Sequence, residues 1–377
     1  MTGRLKVLHV ITGLGIGGAE QQLRLLLPHM RQATTSGVVT LTNPGPVADA
    51  LRADGFPVTH LGMRGNRDLT ALPRLTRLVR QGGYDVVHTH LYRACLYGRI
   101  AARLAGVRTV VATEHSLGED QIEGRPLGAG ARALYLAGER LGTATVAVSD
   151  AVARRLAAWG VHPARVRTVP NGIDAARFAF DPNARRAARR RLGLAPDAYV
   201  VGGVGRLVPG KRFDTLIRAL AHLPPATRLL LVGEGEQRVA LERLAVACGV
   251  AERVVWAGAV SRGLPELLAA MDVFVSASAD EAFGLACVEA LAAGLPVRYV
   301  ACPALDGLPP GEAPGARRIG GSVAEVAAGV AAAVAAAVDT PPGGRLPVPT
   351  AVHRYDIAHT ARQLLSLYHE LSRTTAK

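Results

Sequence analysis

Apolar and polar positions run along the chain in blocks whose period keeps switching between that of a strand and that of a helix. Lys6–Ile11 is a short, mostly apolar run, as a strand buried on both faces requires. Apolar positions then recur at Leu23, Leu26 and Leu27, the spacing of one helix face. The exchange continues through strand Val38–Leu41, helix Val47–Ala53, strand Val58–Leu61, helix Leu69–Arg80, strand Asp85–Thr89, helix Leu96–Leu104 and strand Val107–Thr113. Helix Arg132–Gly142 and strand Thr145–Val148 follow. Ser149-Asp150 then caps a helix through Trp159, and Val166–Val169 closes the series. Pro170-Asn171-Gly172-Ile173-Asp174 is a strong turn signal.

The pattern restarts with strand Tyr199–Val204 and helix Arg212–His222. Strand Arg228–Val232, helix Gln237–Ala247, strand Arg253–Trp256, helix Leu264–Ala270, strand Val273–Ser276 and helix Gly284–Ala293 come next. Strand–helix alternation builds parallel sheets covered on both faces, so the class is α/β. Two series, separated by an Arg-rich, Pro-containing stretch near 175–196, predict two doubly wound Rossmann-like domains at 1–178 and 179–350, facing a central cleft. A last segment, 351–377, carries the amphipathic helix Ile357–Ser372. The length of 377 residues agrees, because one core rarely grows past about 250–300 residues.

Composition adds limits. The chain is 49% hydrophobic and 20% charged, which supplies packed cores and argues against general disorder. Aromatic residues are only 4%, so Ala, Val and Leu must build those cores. The formal charge of +14 admits nucleic acid, anionic lipid or phosphorylated ligands. Arg185, Arg186, Arg189, Arg190 and Arg191 form the densest cluster, and no aromatic residues interleave with it, which argues against a nucleic-acid platform. It is expected to be a solvated helix face. Peripheral contact with an anionic membrane surface is the sharper alternative.

Cys95, Cys248, Cys287 and Cys302 form no C-x-x-C pair and have no histidines clustered beside them, so no zinc site is expected. Scattered thiols fit a reducing compartment. The apolar core of the N-terminal segment is too short for a signal peptide. The run Val323–Val338 is Ala-rich, carries Glu325 and falls short of a span. The expectation is therefore a cytoplasmic protein, with the inner face of the membrane as the one peripheral option.

Three stretches carry chemistry. Gly13-Leu14-Gly15-Ile16-Gly17-Gly18-Ala19-Glu20 follows the first strand and opens a helix, where glycines let backbone N–H groups approach an anion. The spacing resembles a dinucleotide fingerprint. The acidic residue that NAD requires about 20 residues later is missing, because Thr40-Leu41-Thr42-Asn43 stands there. Gly205-Arg206-Leu207-Val208-Pro209-Gly210-Lys211-Arg212 lies at the carboxyl end of the second domain's first strand. Arg206 can fork onto two phosphate oxygens, and Lys211 acts as a point charge. Two exposed surface cations would be the plain alternative, and the location at the ligand edge favours a site.

The third and most specific stretch runs from Asp280-Glu281 through Phe283-Gly284-Leu285 to Glu289, followed by Gly294-Leu295-Pro296. On one continuous helix two glutamates eight apart would lie about 12 Å apart along the axis and could not meet at one atom. A helix starting near Gly284 instead puts Glu281 in the preceding loop and Glu289 about one turn inside. The N–H groups of Phe283, Gly284 and Leu285 then point toward an anion. Glu289 on so apolar a helix needs a donor, and a ribose diol supplies two. In the first domain His88, His90 and His115 end successive strands. His115 is the first choice for a direct role, with the other two behind it. No D-x-D pair occurs, so the cations and the helix start are expected to carry the diphosphate charge, with no metal and no cofactor.

These residues resemble the retaining, metal-independent glycosyltransferases of the two-domain B-type (GT-B) fold, family four. The likeness covers nearly the whole length. It includes Gly17-Gly18-Ala19-Glu20, Thr113-Glu114-His115-Ser116, the Pro170–Asp174 turn, Gly205-Arg206 with Lys211, Glu281 through Glu289, and Leu364, Leu367, Tyr368 and Leu371 of the final helix. The resemblance implies catalytic roles for His115, Arg206, Lys211 and Glu281, and substrate binding by Gly17, Gly18, Phe283, Gly284, Leu285 and Glu289. It implies a nucleotide-sugar co-substrate, UDP-linked on family frequency, and a glycan, lipid-linked or natural-product acceptor. The final helix is expected to cross back to the N-terminal domain. The chain departs from the pattern at 298–306 and 309–321. A nucleotide-sugar 2-epimerase on the same fold, a NAD-dependent oxidoreductase and a non-catalytic anion-binding protein are the competing readings.

Overall fold

The computed structural model describes residues 4–65, 68–118, 121–122, 125–126, 128–336 and 343–376. The last residues of the apolar run Val323–Val338 lie outside them. The chain divides into two compact units. One runs to Gly172 and takes up the chain again from Tyr355, and the other is Ile173–Arg354. The expected borders were 178/179 and 350/351, a few residues away on either side.

The first unit holds strands β1 (Leu5–Ile11), β2 (Thr34–Thr40), β3 (Val58–His60), β4 (Val86–His90), β5 (Thr109–Glu114), the two-residue pair β6 (Gln121–Ile122) and β7 (Arg125–Pro126), β8 (Ala144–Ala147) and β9 (Val166–Thr168). Seven of them form a parallel sheet in the order β3-β2-β1-β4-β5-β8-β9, and β6 pairs antiparallel with β7. The order reverses between β1 and β4. In an open parallel sheet the crevice beyond the carboxyl ends at such a reversal takes ligands.

β2 begins four residues before its apolar part. Thr34 and Ser36 are buried there because their hydroxyls bond each other at 2.9 Å, and Thr34 also donates to the Met30 carbonyl. The final helix, Ile357–Ala376, lies on this unit. Ile357, Ala361, Leu364, Leu367, Tyr368 and Leu371 recur every three or four residues and pack against Val7, Val86, Val111 and Val146 of the sheet. Buried Gln22 ties the chain near the Pro170–Asp174 turn: its amide donates to the Gly172 carbonyl at 2.6 Å and accepts from the Gly172 N–H at 2.9 Å.

The second unit holds β10 (Val200–Val204), β11 (Arg228–Val232), β12 (Val254–Gly258), β13 (Val273–Ser276), β14 (Val297–Tyr299) and β15 (Ala316–Arg318), all parallel in the order β12-β11-β10-β13-β14-β15. Its reversal lies between β10 and β13. The segment that departs from the family pattern is built into this sheet as β14 and β15.

One expectation fails here. The Arg-rich helix Pro182–Arg191 is not a solvated face throughout. Arg185 and Arg189 are buried, and both pair with Asp272, at 2.6 and 2.7 Å. Arg185 also donates to the Ala269 and Met271 carbonyls, and Arg189 to that of Ala270, so the two guanidinium groups tie this helix to Leu264–Ala270. Burying a guanidinium demands that its donors be matched, and these are. Of the five arginines in the cluster, Arg186, Arg190 and Arg191 are exposed. No helix among the described residues is long and apolar enough to cross a membrane.

Candidate active site

Each unit presents its candidate residues at the reversal of its own sheet. In the second unit the loop after β10 carries Gly205 to Arg212. It is held backbone to backbone against the loop after β11: the Gly205 N–H donates to the Val232 carbonyl at 3.0 Å, and the Leu207 N–H to that of Glu234 at 2.9 Å. Gly233 adopts φ +145°, and a Cβ on it would overlap the Gly205 carbonyl oxygen. Only glycine permits that approach. The pair Gly233 and Gly235 went unnoticed in the sequence, although a G-x-G directly after a strand was its signal.

Arg206 projects from this loop, exposed, and forms no ion pair with any described residue. Lys211 is brought to Glu281, its ammonium donating to the carboxylate at 2.5 Å. Two residues seventy positions apart, singled out separately, therefore share one spot. Arg212 closes the loop at φ +52°, which a residue with a Cβ adopts only when its surroundings impose it. Its guanidinium donates to the Gly321 carbonyl at 2.8 Å.

After β13 the chain passes Glu281 and buried Phe283 and reaches Gly284 at φ +96°, the N-cap of helix Leu285–Ala292. A Cβ at Gly284 would overlap the sulfur of Cys302, so the buried Cys302 thiol forms the floor under this turn. Leu285 and Ala286 precede the first amide to bond back into the helix, that of Cys287 to the Gly284 carbonyl at 3.0 Å. The positive end of the helix is thus open for an anion. Glu289 sits a turn further on, largely buried among Val288, Ala290 and Leu291. Burial raises its carboxyl to about 7, against a smaller lowering by Arg177. Its carboxylate receives no hydrogen bond from the described residues. That is the want of a donor which the apolar helix pattern implied.

In the first unit Gly17 is the extended N-cap of helix Gly18–Met30, at the end of the loop that follows β1. His115 follows β5 and is joined to the sheet histidines. His90 Nδ1 and His115 Nε2 lie 3.2 Å apart, and His90 Nε2 and His9 Nδ1 3.1 Å apart. His88 bonds Tyr368 Oη at 2.5 Å and Thr113 Oγ1 at 2.6 Å. His9 was read as one more position of an apolar strand. Only the pairing of β1 with β4, which sets His9 opposite His88, reveals it. Burial lowers His9 to about 3 and His115 to about 4, and takes His88 and His90 well below the ordinary imidazole range. Ring nitrogens of His9, His88 and His90 lie within 4.8 Å of one another, the spacing of a candidate cation site. Leu91, directly after His90, stands at φ +71°. Leu91 and Arg212 are the non-glycine residues with positive φ among those described, one beside each sheet reversal.

Two parallel α/β units with this topology place the chain among glycosyltransferases of the GT-B fold. HepE of Anabaena, solved with UDP and glucose, superposes with a TM-score of 0.84 over 97% of this chain and 100% of its own, at 22% identity. Residues 16–177 match the model described as Glycosyltransferase Family 4, and residues 184–304 match Glycosyl transferases group 1. The chain belongs to glycosyltransferase family 4. It is 33% identical over 294 residues, 75% of each chain, to the GDP-mannose-dependent alpha-mannosyltransferase of Mycobacterium tuberculosis. It is 29% identical over 255 residues, 66% of each chain, to the UDP-Gal:alpha-D-GlcNAc-diphosphoundecaprenol alpha-1,3-galactosyltransferase of Escherichia coli. It is 36% identical over 251 residues to a D-inositol 3-phosphate glycosyltransferase of Actinosynnema mirum, covering 60% of this chain and 58% of that one.

Proposed function

We propose that this glycosyltransferase moves a sugar from a nucleoside-diphosphate sugar, UDP-linked, to a hydroxyl of a glycan or lipid-linked acceptor. The anomeric configuration is retained and no divalent metal is used. One observation carries this reading. Arg206, the Lys211–Glu281 pair, the open start of helix Leu285–Ala292 and the carboxylate of Glu289 stand together at the sheet reversal of the second unit. Two cations and a helix start suit a diphosphate, and a carboxylate without a donor suits a ribose diol.

The chemistry follows from these parts. The bond from the anomeric carbon to the diphosphate oxygen breaks, and its electrons leave with that oxygen. Arg206, Lys211 and the Leu285 amide meet the growing charge. The incoming diphosphate competes for Lys211, which frees Glu281 to accept hydrogen bonds from the sugar. The acceptor oxygen bonds to the anomeric carbon on the face the diphosphate leaves, and its proton passes to the departing phosphate oxygen. The first unit offers the helix start at Gly17 and Gly18 and the ring of His115 to the acceptor. Positioning and charge stabilisation supply the rate.

A GDP-linked donor is the second reading, favoured by the mannosyltransferase relative at 33% identity. A thermal-shift panel of UDP, GDP and ADP sugars separates the two. The donor that stabilises most is then turned over and the product's anomeric proton coupling measured. The expected result is largest stabilisation by a UDP-sugar and a retained configuration. Inversion, or conversion of the donor to an isomer without any acceptor, contradicts the proposal.

A further inference from the structure

Among the described residues, positive φ is left to glycine at every corner but two, Leu91 and Arg212. Arg212 stands at φ +52° and ψ +41°, in the left-handed helical region. There a Cβ crowds the backbone, and a glycine makes the same corner without that strain. The corner itself is required. It ends the short turn Pro209–Lys211 and starts the helix Phe213–Leu220, whose first residue is buried. The Arg212 N–H donates to the Pro209 carbonyl at 3.0 Å, and the Arg212 carbonyl accepts from the Thr215 N–H at 3.0 Å. What arginine adds to a corner that glycine would make with less strain is its side chain.

That guanidinium donates to the Gly321 carbonyl at 2.8 Å, 109 residues further along the chain. Gly321 leaves the room it needs, because a Cβ there would stand 2.9 Å from Arg212 Nη1. The carbonyl is itself anchored. The hydroxyl of the next residue, Ser322, accepts from the Glu325 N–H at 3.2 Å, and the Glu325 carboxylate accepts from the Ser322 N–H at 3.0 Å. This capping box fixes the start of helix Val323–Ala336. On the other side of the tie, the residue before Arg212 is Lys211, whose ammonium meets Glu281. An anchored helix start is thus linked, through Gly321 and the guanidinium, to the corner that aims Lys211.

We propose that Arg212 is a positioning residue. It holds the loop after β10 so that Lys211 faces the diphosphate, and it does so by binding the Gly321 carbonyl rather than the ligand. What Lys211 meets rests on the function proposed above, and the tie does not. The segment 309–321, which departs from the family pattern, supplies the anchor.

Two variants far apart in sequence break the tie and leave Lys211 in place. Asparagine accepts the left-handed region and is too short to reach Gly321, so Arg212→Asn keeps the corner. Gly321→Ala changes no charge and pushes the guanidinium aside. Calorimetric titration should show UDP bound about tenfold more weakly by each variant than by the wild type, the worth of one hydrogen bond from a charged group. The double variant should lose less than about twofold more, and Arg212→Asn should cost less than about twofold in a Lys211→Ala background. Arg212→Lys, which keeps a donor of similar reach, should recover most of the affinity. Melting temperatures should stay within about 3 °C of the wild type. Hydrogen exchange in the ligand-free chain gives a second readout: the amides of 205–212 should exchange faster in both single variants. Wild-type affinity in both variants, equal losses with and without Lys211, a melting temperature that falls in step with affinity, or unchanged exchange overturns the proposal. Wild-type UDP binding by Lys211→Ala, with exchange still faster in both variants, would sink the proposed donor site and leave the tie standing.

Discussion

The two units share a topology and differ in what they set at the reversal of their sheets. The first offers a row of neutral imidazoles, kept uncharged by burial and bonded to one another. The second offers charge: an exposed arginine, a lysine–glutamate pair and a helix start. Each edge also carries one residue forced to positive φ, Leu91 in the first and Arg212 in the second. The same scaffold thus presents two kinds of side-chain chemistry. A neutral donor array discriminates hydroxyl geometry and gains little from a phosphate. A cationic loop beside a helix N-terminus does the reverse.

The sharpest way to break this contrast is to remove charge from the second unit alone. Lys211→Ala and Arg206→Ala should each lower kcat by about 10²–10³-fold, the loss seen when one donor to a developing anion is removed. Steady-state rates over a donor titration measure this. His115→Ala should lower turnover less and leave the affinity for the nucleoside diphosphate unchanged. A larger effect of His115→Ala on that affinity than of Lys211→Ala would reverse the division of labour.

A smaller effect sharpens the comparison. Glu289 has its carboxyl raised by burial to about 7, so much of it is protonated in the free protein at neutral pH. The ribose diol binds the ionised form, so nucleotide affinity should rise as pH rises through 7 and level off above it. Stability runs the other way. The folded protein holds this proton more tightly than the unfolded chain, so the free protein loses stability as pH rises from the ordinary glutamate range to about 7. Glu289→Gln should flatten both slopes and weaken nucleotide binding by about tenfold. Calorimetric titrations and melting curves at pH 6, 7 and 8 check this. An unchanged pH dependence in the variant would move the ribose elsewhere.

The alternating periods made both sheets legible, and local backbone features of the candidate site could be read where a motif was contiguous. Glu281, Gly284 and Glu289 fall in one stretch of nine residues, so the helix start between them could be placed from sequence. What stayed hidden depends on strand register or on distant pairing. His9 looks like core until β1 is laid beside β4. Arg185 and Arg189 look solvated until Asp272, far along the chain, is brought under them. β14 and β15 escaped because Val-Arg-Tyr and Ala-Arg-Arg are too short to show a period. Cys302 showed no role by spacing, because what matters is its sulfur lying beneath Gly284.

The central claim is that side-chain cations and a helix start, without a metal ion, hold a diphosphate on the second unit. Calorimetric titration of UDP and of uridine in excess chelator tests it directly, on the wild type and on the Arg206→Ala, Lys211→Ala double variant. The account requires UDP to bind the wild type at least about a hundredfold more tightly than uridine, and that advantage to vanish in the variant. UDP binding that disappears with chelator and returns with manganese would contradict it.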